Sequence, residues 1–185
     1  SDIKDLLADD GIWAVELSYM PLMLKNLTYD QICHEHVTYW GLREFDYLAS
    51  INGLKIVDVQ FNEINGGSFY LLLSKKDSII KEKKRKIDKI LKEENKLKYI
   101  KPFINFKKRI FNHKKILNNF LLKMKKKNKN IIGYGASTKG NIVLNFCGIK
   151  PNLLKSICDH QKEKVGLFTP GSNIKIISKR EMRLK

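Results

Sequence analysis

Two β-rich runs separated by six residues constrain this chain more than any other feature. Residues 55–61 (KIVDVQF) alternate, and strand pleating is expected to set Ile56 apart from Val57 and Val59. Residues 68–74 (SFYLLLS) form the second run, and Asn65-Gly66-Gly67 lies between the two. The spacing predicts an antiparallel pair joined by a turn. Residues 12–17 (IWAVEL) follow Asp9-Asp10-Gly11 and read as a buried strand entered from a turn. Residues 18–27, with Pro21, read as a loop holding about one helical turn. Leu42, Phe45, Leu48 and Ala49 recur at helical spacing, and Asn52-Gly53 stops that helix.

Charge divides the chain. Residues 1–74 hold 4 basic and 11 acidic side chains, whereas residues 75–129 hold 22 basic and 5 acidic ones. The middle segment thus carries as much excess charge as the whole chain, which is +17. Two Lys-rich helices account for it. Ile80, Ile87, Ile90 and Leu91 mark the apolar side of the first. Phe103, Phe106, Ile110, Leu117, Phe120, Leu121 and Met124 mark that of the second, after Pro102. His113 lies on the same stripe and reads as packed rather than as a ligand. Lysine-covered, solvated faces explain the charge, and an anionic partner is the alternative. Aromatic interleaving is sparse, which argues against specific nucleic-acid binding.

Residues 123–130 read as a polar linker. A strand at 131–135 then ends in a glycine turn, a helix over 141–147 closes at Gly148, and strands follow near 154–158 and 174–177. Cys33, Cys147 and Cys158 are odd in number and lack C-x-x-C spacing. They are expected to be reduced thiols of a cytoplasmic protein, not a disulfide framework or a zinc site. No apolar run approaches the roughly 20 residues of a membrane helix. The first residues show no signal peptide, and the absence of an initiator Met leads us to expect a chain that begins mid-domain.

Three segments carry candidate chemistry. Cys33-His34-Glu35-His36, followed by Tyr39, gathers ionisable groups between a strand and a helix, where α/β sheets place their active-site loops. A His–carboxylate acid/base pair, a metal site and structural packing all remain open there. Gly133-Tyr134-Gly135-Ala136-Ser137-Thr138-Lys139-Gly140-Asn141 joins a strand to a helix. It reads either as a phosphate cradle or as an ordinary turn that needs glycine for positive φ. Asn65-Gly66-Gly67-Ser68 reads as a hairpin turn or as a turn beside a substrate cleft.

Four landmarks stand in one order: YDQICHEHVTYW at 29–40, NGGSF at 65–69, GYGASTKGN at 133–141 with NFCGI at 145–149, and D-x-x-x-x-K-x-G at 159–166 with TPG at 169–171. This order resembles the S-adenosylmethionine-dependent C-methyltransferases of deoxysugar biosynthesis, which make 3-C-methyl branched nucleotide sugars. Cys33 stands where that family often has Tyr, and Tyr70 where an Arg often follows the glycine turn.

The resemblance implies an α/β fold in three parts. Residues 1–76 would be the end of a class I methyltransferase (Rossmann-like) sheet, residues 77–129 a helical connector, and residues 130–185 a partial second Rossmann-like domain that binds a nucleotide sugar. It implies His36 as the base that removes the proton next to a keto group, Glu35 as its partner, and His34 and Tyr39 in the same group. It implies substrate binding by Gly133, Tyr134, Gly135, Ala136, Ser137, Thr138, Lys139 and Asn141. The methyl donor would be S-adenosylmethionine, held mostly by residues outside this chain. A zinc ion would sit in a further N-terminal domain, and none within this segment. Partners would be the nucleotide sugar alone, without nucleic acid or membrane. A non-catalytic nucleotide-sugar-binding module is the alternative.

Overall fold

The computed structural model describes residues 2–184 and divides them into two compact units. The first comprises the residues up to Thr28 together with His36–Phe106, and the second Tyr29–Glu35 together with the residues from Lys107 on. Both mix helices with a three-stranded sheet.

In the first unit, α1 (Asp2–Leu6) leads into β1 (Trp13–Ser18), and α2 (Met20–Asn26) follows at once. The segment expected to be mostly loop is therefore helical, with Pro21 at the start of α2, where its missing N–H costs nothing. Next come α3 (Leu42–Ile51), β2 (Leu54–Asn62), β3 (Ser68–Lys75) and α4 (Lys84–Glu94). The sheet order is β1-β3-β2, with β3 antiparallel to both neighbours. The hairpin between β2 and β3 is as expected. Its core gathers Leu42, Phe45, Leu54, Val59, Phe69, Leu71 and Leu73 beneath α3 and α4.

Pleating does not separate Ile56 from Val57. The register shifts between Ile56 and Asp58, so Val57 is an extra residue, and both Ile56 and Val57 are buried. The Val57 carbonyl accepts from the Lys83 N–H at 2.8 Å, docking the start of α4 on the bulge. Buried Asp58 completes this join, its carboxylate accepting from Lys83 at 2.6 Å, Lys86 at 2.8 Å and the Val59 N–H at 2.8 Å. Burial raises the Asp58 pKa, but the two lysines and the Val59 N–H outweigh it and bring the group to about 2.

A folded value below the ordinary 3.8 means that ionised Asp58 favours the folded state above that pH. The contribution fades as pH falls from 3.8 toward 2. Asp58→Asn is expected to cost about 1–2 kcal/mol at neutral pH, since both lysines are partly exposed. Urea denaturation of both proteins should show that difference vanishing in acid.

α3 begins at Gly41, which has no side chain to cap the helix. Glu94, at the end of α4, takes that role. Its carboxylate accepts from the Leu42 N–H at 2.7 Å, the Arg43 N–H at 3.0 Å and the Tyr19 hydroxyl at 2.6 Å. A Cβ at Gly41 would strike the Glu44 carboxylate first and would lie 3.3 Å from Glu94 Oε2. In return Arg43 donates to the Leu91 carbonyl at 3.0 Å and to Asn95 Oδ1 at 2.8 Å, closing the end of α4.

α5 (Lys101–Lys126) begins in the first unit and continues in the second. Phe106, Ile110 and Leu121 of the expected stripe are buried, but Phe120 is 53% exposed. The helix runs through Lys126, so half of the expected linker is helical; lysine is a good helix former, and Leu121 anchors this end in the second core. Ile80 precedes α4 and does not belong to its stripe.

The second unit carries β4 (Ile132–Tyr134), α6 (Thr138–Cys147), β5 (Ser156–Cys158), β6 (Lys175–Ile177) and α7 (Lys179–Arg183). Its strands are parallel in the order β4-β5-β6. α6 starts three residues earlier than the apolar pattern indicates, because Ser137 caps it, and it ends as expected at left-handed Gly148. No described helix is long and apolar enough to cross a membrane.

Candidate functional site

All four side chains expected to act together, His34, Glu35, His36 and Tyr39, lie in one irregular stretch between α2 and α3. His34 Nδ1 stands 3.4 Å from Glu35 Oε2, with the His34 side chain 93% exposed. His36 is half-buried and packs edge-on against Tyr39, ring centroids 6.2 Å apart. This contact joins Glu35 to His34, and the resemblance implies His36 as the partner of Glu35. The boundary between the two units falls between Glu35 and His36. Among the described residues, no cluster of three or more His, Cys, Asp or Glu side chains could hold a metal ion.

Residues 133–141 all lie in the second unit, at the carboxyl end of β4, the end of a parallel sheet where ligands bind in α/β folds. Two glycines there have different reasons. A Cβ at Gly133 would lie 3.0 Å from Ile157 Cγ1, so packing against β5 requires it. Gly135 has φ +90° with open space around it, so the backbone turn alone requires it. Ser137 accepts from the Gly140 N–H at 3.1 Å, and the Ser137 and Thr138 side chains are exposed. Tyr134 is 66% exposed, with Lys179 Nζ 6.0 Å from its ring centre.

Asp159, at the end of β5, holds the turn. Its carboxylate accepts from the Ala136 N–H at 2.7 Å and the Gln161 N–H at 2.9 Å, and Lys164 donates to the Ala136 carbonyl at 3.0 Å. The Gln161 and Ala136 amides hold the Asp159 carboxyl below its ordinary range. Asp159→Ala would strand two backbone donors, at a cost of about 2–3 kcal/mol. Amide hydrogen exchange should show Ala136 and Gln161 losing protection, with the turn between β4 and α6 loosening first.

The Asn65-Gly66-Gly67 turn is packed from within the first unit. A Cβ at Gly66 would strike Thr28 and one at Gly67 would strike Leu22, while Asn26 donates to the Gly66 carbonyl at 2.9 Å. Steric fit and positive φ account for both glycines.

Sequence reasoning missed a buried group in the second unit. Tyr29, only 6% exposed, places its hydroxyl 3.0 Å from His113 Nδ1 and 3.6 Å from Cys147 Sγ. Burial, and then the contact with Cys147, raises the Tyr29 pKa. The signal was present: Tyr29 opens one landmark and Cys147 lies in another. None of the three cysteines forms a disulfide, and Cys147 and Cys158 are buried and Cys33 half-buried.

Residues 63–185 match the C-methyltransferase C-terminal domain family, and the chain belongs to that family. Over 178 residues, 95% of this chain, it is 29% identical to the C-methyltransferase NovU of Streptomyces niveus. That match covers 42% of NovU, so the chain spans less than half the length of this relative.

Proposed function

We propose that this chain is the C-terminal part of an S-adenosylmethionine-dependent C-methyltransferase. Its substrate is a nucleotide-linked deoxysugar, methylated on the carbon next to a keto group. The observation that carries this reading is the exposed His34–Glu35 pair at 3.4 Å, one residue before His36, in a chain of the C-methyltransferase family.

The carbon beside a carbonyl is acidic, and a histidine titrating near neutrality suits its deprotonation. His36 takes the proton, the electron pair moves into an enolate, and the carboxylate of Glu35 favours the imidazolium that forms. His34 and Tyr39 orient this group. The enolate carbon is then the nucleophile for the methyl group.

The residues present do not fit a donor site at the end of β1. Tyr19 follows that strand directly, and its ring packs 5.0 Å from Phe61 and 5.1 Å from Phe69 between centroids. The donor is held elsewhere in the complete enzyme, and this chain supplies the proton chemistry. A zinc ion belongs to the same remainder.

The division into residues 1–76, 77–129 and 130–185 is part of the proposal. The antiparallel β1-β3-β2 sheet supports a methyltransferase sheet end, and parallel β4-β5-β6 supports a second, Rossmann-like nucleotide-sugar domain. There Gly133, Tyr134, Gly135, Ala136, Ser137, Thr138, Lys139 and Asn141 would face the nucleotide sugar. A cytoplasmic location is part of the proposal, and buried Cys147 and Cys158, outside any disulfide, support it.

The test is deuterium exchange from D2O into C3 of a nucleotide-linked 4-ketohexose by the complete enzyme, without donor, followed by methyl incorporation with donor. Exchange and methylation at the same carbon support the proposal. Tight binding with neither would leave a nucleotide-sugar-binding module.

A further inference from the structure

We infer that Tyr29 is a positioning residue that seats the turn leading into His34 and Glu35 on α5 and α6. The inference rests on the proposed function. Tyr29 opens a short 3-10 turn, Tyr29–Gln31, that belongs to the second unit although the chain on both sides belongs to the first. Its ring meets His113 edge-on at 5.6 Å and Phe146 at 5.4 Å. Its hydroxyl has His113 Nδ1 at 3.0 Å and Cys147 Sγ at 3.6 Å.

This seat is firm because the end of α6 is fastened to α5. Lys114 donates to the Phe146 carbonyl at 2.6 Å, and Asn118 donates to the Cys147 carbonyl at 2.9 Å. Both carbonyls lie in the last turn of α6, where the helix leaves acceptors unmatched. Phe111 also packs edge-on against Phe146, ring centroids 5.5 Å apart.

From this seat the turn carries forward to the ionisable segment. The Ile32 N–H donates to the Tyr29 carbonyl at 3.0 Å, and the Cys33 N–H to the Gln31 carbonyl at 3.0 Å. Gln31 is 1% exposed. The turn ends at buried Gln31, three residues before exposed His34. The two landmarks 29–40 and 145–149 therefore meet, and NFCGI serves as a socket for the tyrosine. A hydroxyl that fixes a turn acts on the orientation of the groups behind it, and small displacements of such groups act on rate more than on substrate affinity.

The test removes one hydrogen bond from either end in the complete enzyme. Tyr29→Phe keeps the ring and deletes the hydroxyl, and His113→Leu deletes its half-buried partner on α5. Deuterium exchange into a nucleotide-linked 4-ketohexose, per folded molecule, should show kcat lower by about tenfold in each, with KM within about twofold of wild type. The double variant should fall no further than about twofold below the lower single one, because both act through one contact. Wild-type kcat in either single variant, or a rise in KM with kcat unchanged, overturns the inference. Should Tyr29→Phe not fold, His113→Leu decides alone. His36→Ala, run beside them, separates the two readings. Exchange lost there but intact in Tyr29→Phe removes only the positioning role, and exchange intact in His36→Ala removes the proposed base itself.

Discussion

In the complete enzyme, His36→Ala is expected to slow α-proton exchange and methyl transfer by about two to four orders of magnitude, the usual size of a general base. Nucleotide-sugar affinity should stay near wild type, because the proton is transferred in the transition state and the imidazole adds little to ground-state contacts. The structure sharpens the comparison with its neighbours. Glu35 lies 3.4 Å from His34, so a series of His34→Ala, Glu35→Gln and His36→Ala ranks the two imidazoles directly. Glu35→Gln should cost less than His36→Ala, because a glutamine still accepts a hydrogen bond but no longer favours an imidazolium. A larger loss in His34→Ala than in His36→Ala would move the base to the residue that the carboxylate touches. Loss in both, mimicked by a chelator, would return the segment to a metal site.

The largest expected effect on stability comes from Glu94→Ala. The side chain is 4% exposed and serves two backbone N–H groups at the start of α3 together with the Tyr19 hydroxyl. Alanine leaves three donors without an acceptor, for an expected loss of about 3–4 kcal/mol. That is a large part of the roughly 5–15 kcal/mol that holds a typical protein folded. Glu94→Gln keeps one acceptor oxygen but turns an NH2 group toward a backbone donor, so it should lose about half as much. Trp13 and Trp40 both pack beside Phe45, so their fluorescence in a urea titration reports the first unit directly. An unchanged midpoint in Glu94→Ala would mean that water replaces the carboxylate at the α3 terminus.

Local patterns in the sequence carry much of this fold. Asn65-Gly66-Gly67 marks the hairpin because its backbone needs positive φ, and Asn52-Gly53 and Gly148 end α3 and α6 for related reasons. The failures are of another kind. A bulge leaves the composition of β2 unchanged, so nothing in KIVDVQF announces that Val57 is extra. Phe120 fits the helical spacing of the α5 stripe yet lies at its edge, and only the width of the second core decides which residues it covers. Glu94 is 52 positions from the amide it caps, beyond the reach of any local capping pattern. In the candidate site, the ionisable residues were legible as a cluster because they are contiguous. Their pairing was not, since adjacent side chains choose partners through backbone angles that the residue types leave open. Tyr29 was overlooked for a similar reason: His113 is 84 positions away and Cys147 is 118.

The two edges of the first sheet are protected unequally. β2 is kinked by its extra residue and partly covered where Lys83 binds the Val57 carbonyl. β1 (WAVELS) has neither bulge, proline nor lysine, and among the described residues only Trp40 bridges it on the open side, at Tyr19 just beyond its end. Such a strand is a template on which a strand of another molecule can pair. Concentrated solutions of this chain by itself should therefore drift toward edge-to-edge association and gelation. A gatekeeper lysine at exposed Ala14 would raise the concentration at which this begins, detectable by light scattering, while leaving the β1–β3 ladder intact.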